Sequence, residues 1–215
     1  MTRRALLGVD LTPTFCEGGG LPVEGGHATA ERVAAFLEAH GRDYDLLVFS
    51  EDWHIDPGSH WAPEGTDPDF ATSWPRHGAA GTDEARVHPA IRAVLDRLAA
   101  EGVPVHLVRK GMYSAAYSAF EGVVVENDPA ELEPVGPPLA EWLRQQGVTH
   151  LDVIGIATDH CVRASSLDAV REGFEVRLLG DLVAGVAPDT SEAALEEMAS
   201  AGVELSSSDA VGARA

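Results

Sequence analysis

Leu151-Asp152-Val153-Ile154-Gly155-Ile156-Ala157-Thr158-Asp159-His160-Cys161 is an apolar run that ends in a glycine-containing turn and delivers a cysteine into a helical segment. Leu151–Ile156 is nearly continuous in its apolar residues rather than alternating, the pattern of a parallel strand covered on both faces. The helix after it is read over Asp159–Glu172. The same unit recurs along the chain. Strands are predicted at Ala5–Val9, Leu46–Ser50, Pro104–Val108, Glu175–Leu179 and Val203–Ser206, and helices at about Ala28–His40, Pro89–Glu101, Pro137–Gln146 and Thr190–Ala201. Gly41, Gly102, Gly147, Gly173 and Gly202 stand just past helix ends, where a left-handed residue is favoured. Pro89, Pro137 and Pro188 fall near helix starts. The alternation predicts an α/β fold, a doubly wound three-layer sandwich on a six-stranded parallel sheet with right-handed crossovers.

The 215 residues fit one domain, read here as spanning 1–215. Hydrophobic residues at 45% and charged residues at 23% are globular values, not those of a disordered chain. A net charge of −20 with no Lys/Arg cluster excludes phosphate-backbone binding as the main role and argues against docking on anionic membranes. No apolar run approaches the roughly 18 residues needed to span a bilayer. Met1-Thr2-Arg3-Arg4 has the look of a signal n-region, but Ala5–Val9 stops at Asp10, too short for an h-region. Two cysteines make no disulfide framework and suit a reducing compartment, so a cytoplasmic location is expected. A homo-oligomer is left open. Between about 52 and 88 no element is evident, only Trp, His, Pro, Gly and Asp, which marks a functional loop region. Glu121–Pro138 reads as a surface insertion and the tail after Ser206 as loose.

Ligands of doubly wound sheets sit at the carboxyl ends of the strands. The first strand ends in Asp10, the second leads to Asp52-Trp53-His54, the third to Arg109-Lys110-Gly111 and the fourth to Cys161. In the first turn of a helix, free backbone N–H groups and the helix dipole would favour a Cys161 thiolate and bind a developing oxyanion. On position alone, a nucleophile and a small buried hydrophobe are equal readings. Cys16, in the glycine-rich Cys16–Gly20 loop with no helix start of its own, reads as filler. Lys110 would help ionise a thiol and Asp10 would shuttle its proton, a set that gains weight from Cys161. Asp52, His54, His60, His77 and His88 offer five N/O ligands for a borderline metal. Gly18-Gly19-Gly20 is neither a dinucleotide fingerprint nor a Walker loop, and no GxSxG elbow is present.

Taken in order, Asp10, Phe15-Cys16-Glu17-Gly18-Gly19, Asp52-Trp53-His54-Ile55-Asp56-Pro57-Gly58-Ser59-His60, Trp74-Pro75-Arg76-His77, Lys110-Gly111, Tyr117-Ser118-Ala119-Phe120 and Gly155–Val162 resemble the nicotinamidases of the isochorismatase-like cysteine hydrolases, which also act on pyrazinamide. The resemblance runs from Asp10 to about Ala201. It implies a catalytic triad of Asp10, Lys110 and Cys161, an oxyanion hole at the Ala157 and Cys161 amides, and a cis peptide at Ile156–Ala157. It implies one divalent metal (Zn, Fe or Mn) on Asp52, His54, His60 and His77, leaving His88 out. It places Phe15, Trp74, Tyr117 and Ile156 around the substrate, and it implies hydrolysis of nicotinamide to nicotinate and ammonia through a Cys161 thioester, a step of NAD salvage. Two other readings are a hydrolase of the same superfamily acting on another small amide or an enol ether, whose isochorismatase-type members lack the metal cluster, and a non-catalytic metal-binding or thiol-sensing protein. One departure stands out. Leu11-Thr12-Pro13-Thr14 replaces the polar Asn or Gln usual after the catalytic Asp, and Thr12 is the candidate to replace the lost hydrogen bond.

Overall fold

In the computed structural model, residues 3–125 and 132–212 are described. Seven strands form one sheet in the order β4-β3-β2-β1-β5-β6-β7: β1 (Arg3–Val9), β2 (Leu46–Asp52), β3 (Val105–Lys110), β4 (Val123–Val125), β5 (Val148–Ile156), β6 (Glu175–Ala184) and β7 (Glu204–Ser206). All neighbours are parallel except β3 and β4. The six expected strands are present, but the expectation of a six-stranded, wholly parallel sheet is corrected. Val123–Val125, inside the stretch read as a surface insertion, pairs antiparallel with Leu107–Arg109 and makes a seventh, edge strand. The remainder of that insertion at 126–131 lies outside the described residues.

Helices α1 (Gly26–His40) and α2 (Pro89–Ala100) cover one face of the sheet, and α3 (Leu139–Gln145), α4 (Arg163–Arg171) and α5 (Pro188–Ser200) the other. Side chains alternate across β1. Leu6 joins the cluster under α1 and α2, whereas Ala5, Leu7 and Val9 join the opposite one. In α2 the buried residues Ile91, Val94, Leu95 and Leu98 recur at i, i+3, i+4 and i+7, one stripe facing the sheet.

Three local expectations change. Gly41 is right-handed at φ −57 and starts a 3-10 turn. Its hydrogen instead gives room to α2, since a Cβ there would fall 2.5 Å from Leu98. The helix expected over Asp159–Glu172 begins as a π-type turn, Thr158–Val162, before α4 proper. The tail after Ser206 is not loose over its described part, because Ser208 N and Oγ bond the Asp181 carboxylate at 2.8 and 2.5 Å. Residues 213–215 are not among those described.

β1 is the topological switch. β2 and β3 lie on one side of it and β5, β6 and β7 on the other, so Asp10 and the Cys161 turn leave the sheet at the crevice between β1 and β5. Gly155 lets them approach. It has φ 136, and a Cβ there would meet Val9 O at 2.1 Å.

Candidate active site

The strand ends deliver their polar residues to one buried point. Asp10, Lys110 and Cys161 are all buried. Lys110 Nζ stands 3.0 Å from Asp10 Oδ2 and 3.8 Å from Cys161 Sγ, donates to Ala116 O at 3.0 Å, and bonds Asp52. Ser50 fixes the carboxylate. Its hydroxyl donates to Asp10 Oδ1 at 2.6 Å and accepts from Asp10 N at 3.1 Å. Asp10 Oδ2 carries no well-directed hydrogen bond and is the oxygen left to accept a proton. Thr12 does not replace the missing polar residue, because its Oγ1 is buried without a partner. Ser50 does that work. As an ordinary strand residue it gave no signal in the sequence.

Burial pushes the Cys161 thiol well above its ordinary pKa. The Lys110 charge opposes the shift, while the Asp10 and Asp52 carboxylates add to it. The resting residue is therefore a thiol, not the thiolate expected from a helix start. Burial also raises Asp10, against the pull of Lys110. Lys110 stays charged despite its own desolvation because Asp10 and Asp52 flank it.

The irregular 52–88 region folds over this point, held by bridges between His54 and Ala79 and between Trp61 and Trp74. Ring nitrogens of His54, His60 and His77 lie within 4.8 Å of one another. Asp52 Oδ2 is 3.7 Å from His54 Nε2 and 3.8 Å from His77 Nε2. His54 Nδ1 donates to Gly111 O at 2.5 Å and His77 Nδ1 to Pro75 O at 2.7 Å, which leaves both Nε2 lone pairs turned inward. His54 Nε2 and His60 Nδ1 are buried without partners. Burial lowers His54 and takes His60 down to about 4, so both are neutral at pH 7. Three imidazoles and a carboxylate, with orphaned nitrogens of His54 and His60 between them, fit one divalent metal. His88 is elsewhere, 3.0 Å from His27.

A cavity of about 360 Å³ opens onto both groups, with Phe15, Asp52, His60, Trp74, His77, Tyr117, Ala157 and Cys161 on its wall. Trp74 Nε1 donates to Tyr117 Oη at 3.0 Å, which fixes two aromatic walls against each other. Ile156 is not on the wall. Its side chain is fully buried in the core, and its contribution is the cis peptide to Ala157. His160, which the sequence reading gave no role, lines the cavity with its ring 5.4 Å from Trp74 and 6.2 Å from Tyr117.

A buried Cys–Lys–Asp set at the switch point of an α/β sheet, beside an Asp/His metal cluster, is the site of a cysteine hydrolase. Residues 4–210 match the isochorismatase domain, and the chain belongs to that family. Within it, the chain is 50% identical to the nicotinamidase/pyrazinamidase of Mycobacterium tuberculosis over 94% of this chain and 97% of that one. It is 30% identical to the nicotinamidase of Escherichia coli over 95% of each. A crystal structure of pyrazinamidase of Pyrococcus horikoshii in complex with zinc superposes with a TM-score of 0.73 at 32% identity, covering 95% of this chain and 99% of that one. That of PnC1 from L. infantum in complex with nicotinate gives 0.76 at 29%, covering 97% and 94%.

Proposed function

We propose that this chain is a cytoplasmic nicotinamidase, a single-domain amidohydrolase that converts nicotinamide to nicotinate and ammonia for NAD salvage and also hydrolyses pyrazinamide. The observation that carries the reading is Lys110, which ties Asp10, Cys161 and the Asp52 ligand together at the floor of one cavity. The Cys161 thiol gives its proton to Asp10 as Sγ attacks the carboxamide carbon. Lys110 balances the charge on both, and the Ala157 and Cys161 amides receive the oxyanion. The C–N bond then breaks as Asp10 returns the proton to the departing nitrogen, leaving ammonia and a thioester. Water, losing a proton to Asp10, attacks the thioester carbon. The C–S bond breaks, nicotinate leaves and the thiol is reprotonated. Phe15, Trp74 and Tyr117 hold the ring. Asp52, His54, His60 and His77 would hold one divalent metal (Zn, Fe or Mn), which when bound supplies a Lewis-acidic seat for the pyridine nitrogen and so orients the ring.

The test is ammonia release from nicotinamide before and after chelation, with benzamide, which lacks a pyridine nitrogen, as control. Release that chelation suppresses for nicotinamide supports the reading. No release from metal-loaded, reduced protein would overturn it.

A further inference from the structure

Of the five candidate ligands between Asp52 and His88, His88 is the one that stands apart from the Asp52–His54–His60–His77 cluster. It is the N-cap of α2, where its Nδ1 accepts from Ala90 N at 3.3 Å and its Nε2 faces Nδ1 of His27 at 3.0 Å. Cys16 completes the group, its Sγ and the two ring nitrogens all within 4.8 Å of one another. None of the three lines the cavity. We propose that Cys16, His27 and His88 form a second metal site, separate from the catalytic one, for a thiophilic divalent transition ion of the Zn²⁺ type.

The outer contacts are those of a metal ligand set. His27 Nε2 donates to Glu17 O at 3.1 Å, which fixes the tautomer and leaves the Nδ1 lone pair directed at the cluster. His88 N bonds Leu11 O at 2.8 Å, anchoring that ligand to the loop after Asp10. Gly26 makes room for the sulfur, because a Cβ there would fall 2.8 Å from Cys16 Cα and 3.3 Å from Sγ. Burial, reinforced by the Glu17 charge, pushes the Cys16 thiol up to about 11, so without a cation it is protonated and donates to Thr12 O at 3.5 Å. On binding, the Cys16 proton is released to solvent and the thiolate becomes the anionic ligand. His27 binds through its free Nδ1. At His88 the ring proton moves from Nε2 to Nδ1, giving up the long bond from Ala90 N. The fourth position opens to water beside the exposed His27. One thiolate and two imidazoles favour Zn²⁺ over the hard ions Mg²⁺ and Ca²⁺, and the chain's net charge of −20 draws cations in general.

Cobalt(II) is the probe. The chain has two cysteines, so in Cys161→Ala a thiolate-to-cobalt charge-transfer absorption can arise only at Cys16. That band is expected to appear and saturate as cobalt is added. His27→Ala in the same background removes an exposed ligand without touching the core, and is expected to weaken the binding that produces the band by about 10-fold or more. Cobalt uptake with no thiolate band, or a band that titrates identically in His27→Ala, overturns the site. Because the readout is spectroscopic and made without turnover, the outcome is independent of the amidase activity.

Discussion

Lys110 keeps its charge where water does not reach, and that fact organises the chemistry around it. A buried ammonium is tolerated when its hydrogens are accepted and its charge is paired, and here Asp52 and Ala116 O accept hydrogen bonds while Asp10 Oδ2 pairs the charge at 3.0 Å. The same charge lies 3.8 Å from Cys161 Sγ, so it favours the thiolate at the moment the proton passes to Asp10, although burial keeps the resting thiol neutral. Removing only the sulfur separates chemistry from architecture. Cys161→Ala is expected to cut ammonia release by about 10³-fold or more while the protein stays folded and metal-loaded, checked by an ammonia assay beside metal analysis and circular dichroism. Residual turnover above a trace would place the nucleophile elsewhere. His54 acts differently. It lies off the cavity wall, with Nδ1 on Gly111 O and Nε2 aimed at the cluster. His54→Ala is expected to raise KM for pyridine carboxamides by about 10-fold and to leave benzamide nearly unchanged. Equal effects on the two substrates would remove the contact between ring nitrogen and metal from the mechanism.

Among the elements, the π-type turn Thr158–Val162 holds Cys161 in place through Asp159, whose carboxylate accepts from Val186 N at 2.9 Å, Ala187 N at 3.3 Å and Thr190 Oγ1 at 2.5 Å. The turn is thus tied to the start of α5. Burial works to raise the Asp159 pKa, but the bonds from Thr190 and the two amides outweigh it and hold the carboxyl below its ordinary value. A carboxyl depressed in the folded state contributes stability above its unfolded pKa of about 3.9, and that contribution is lost as pH falls through the lower folded value. Asp159→Asn is expected to cost about 2 kcal/mol at pH 7, with a loss of turnover as Cys161 shifts. In denaturant melts at successively lower pH, the gap between wild type and variant should close below pH about 4. A gap that stays constant would show that the carboxylate charge is not what holds the turn. The elements also show where the sequence stops being legible. Asp10, Lys110 and Cys161 could be found because each follows an apolar strand, and strand ends of such sheets converge. Val123–Val125 could not, since three residues carry no period and their pairing is decided by the edge of β3. The π-type register before α4 and the Ser50 bond to Asp10 are tertiary facts. So is the choice of His60 and His77 over His88, which spacing alone left open and the loop fold decides.

For the whole molecule, the dominant quantity is charge: 35 acidic against 15 basic side chains. Self-repulsion of that size works against the compact state, while the proposed substrate is neutral and gains nothing from steering. These two consequences respond differently to salt. The Debye length is about 10 Å at 0.1 M and about 3 Å at 1 M, so added salt screens exposed charges and leaves the enclosed Asp10–Lys110–Cys161 set largely untouched. Between about 0.05 and 0.5 M NaCl the melting temperature is expected to rise by a few degrees, while kcat/KM for nicotinamide changes by less than about twofold. The product supplies an internal contrast. Nicotinate is an anion repelled by the same field, so its inhibition constant should fall as salt screens that repulsion. Melting, initial-rate and product-inhibition series in one set of buffers test all three. A steep salt dependence of kcat/KM, with product inhibition unchanged, would mean that the field acts on the catalytic groups themselves, and that the cavity is more open to the surface charge than the burial of Asp10 and Lys110 implies.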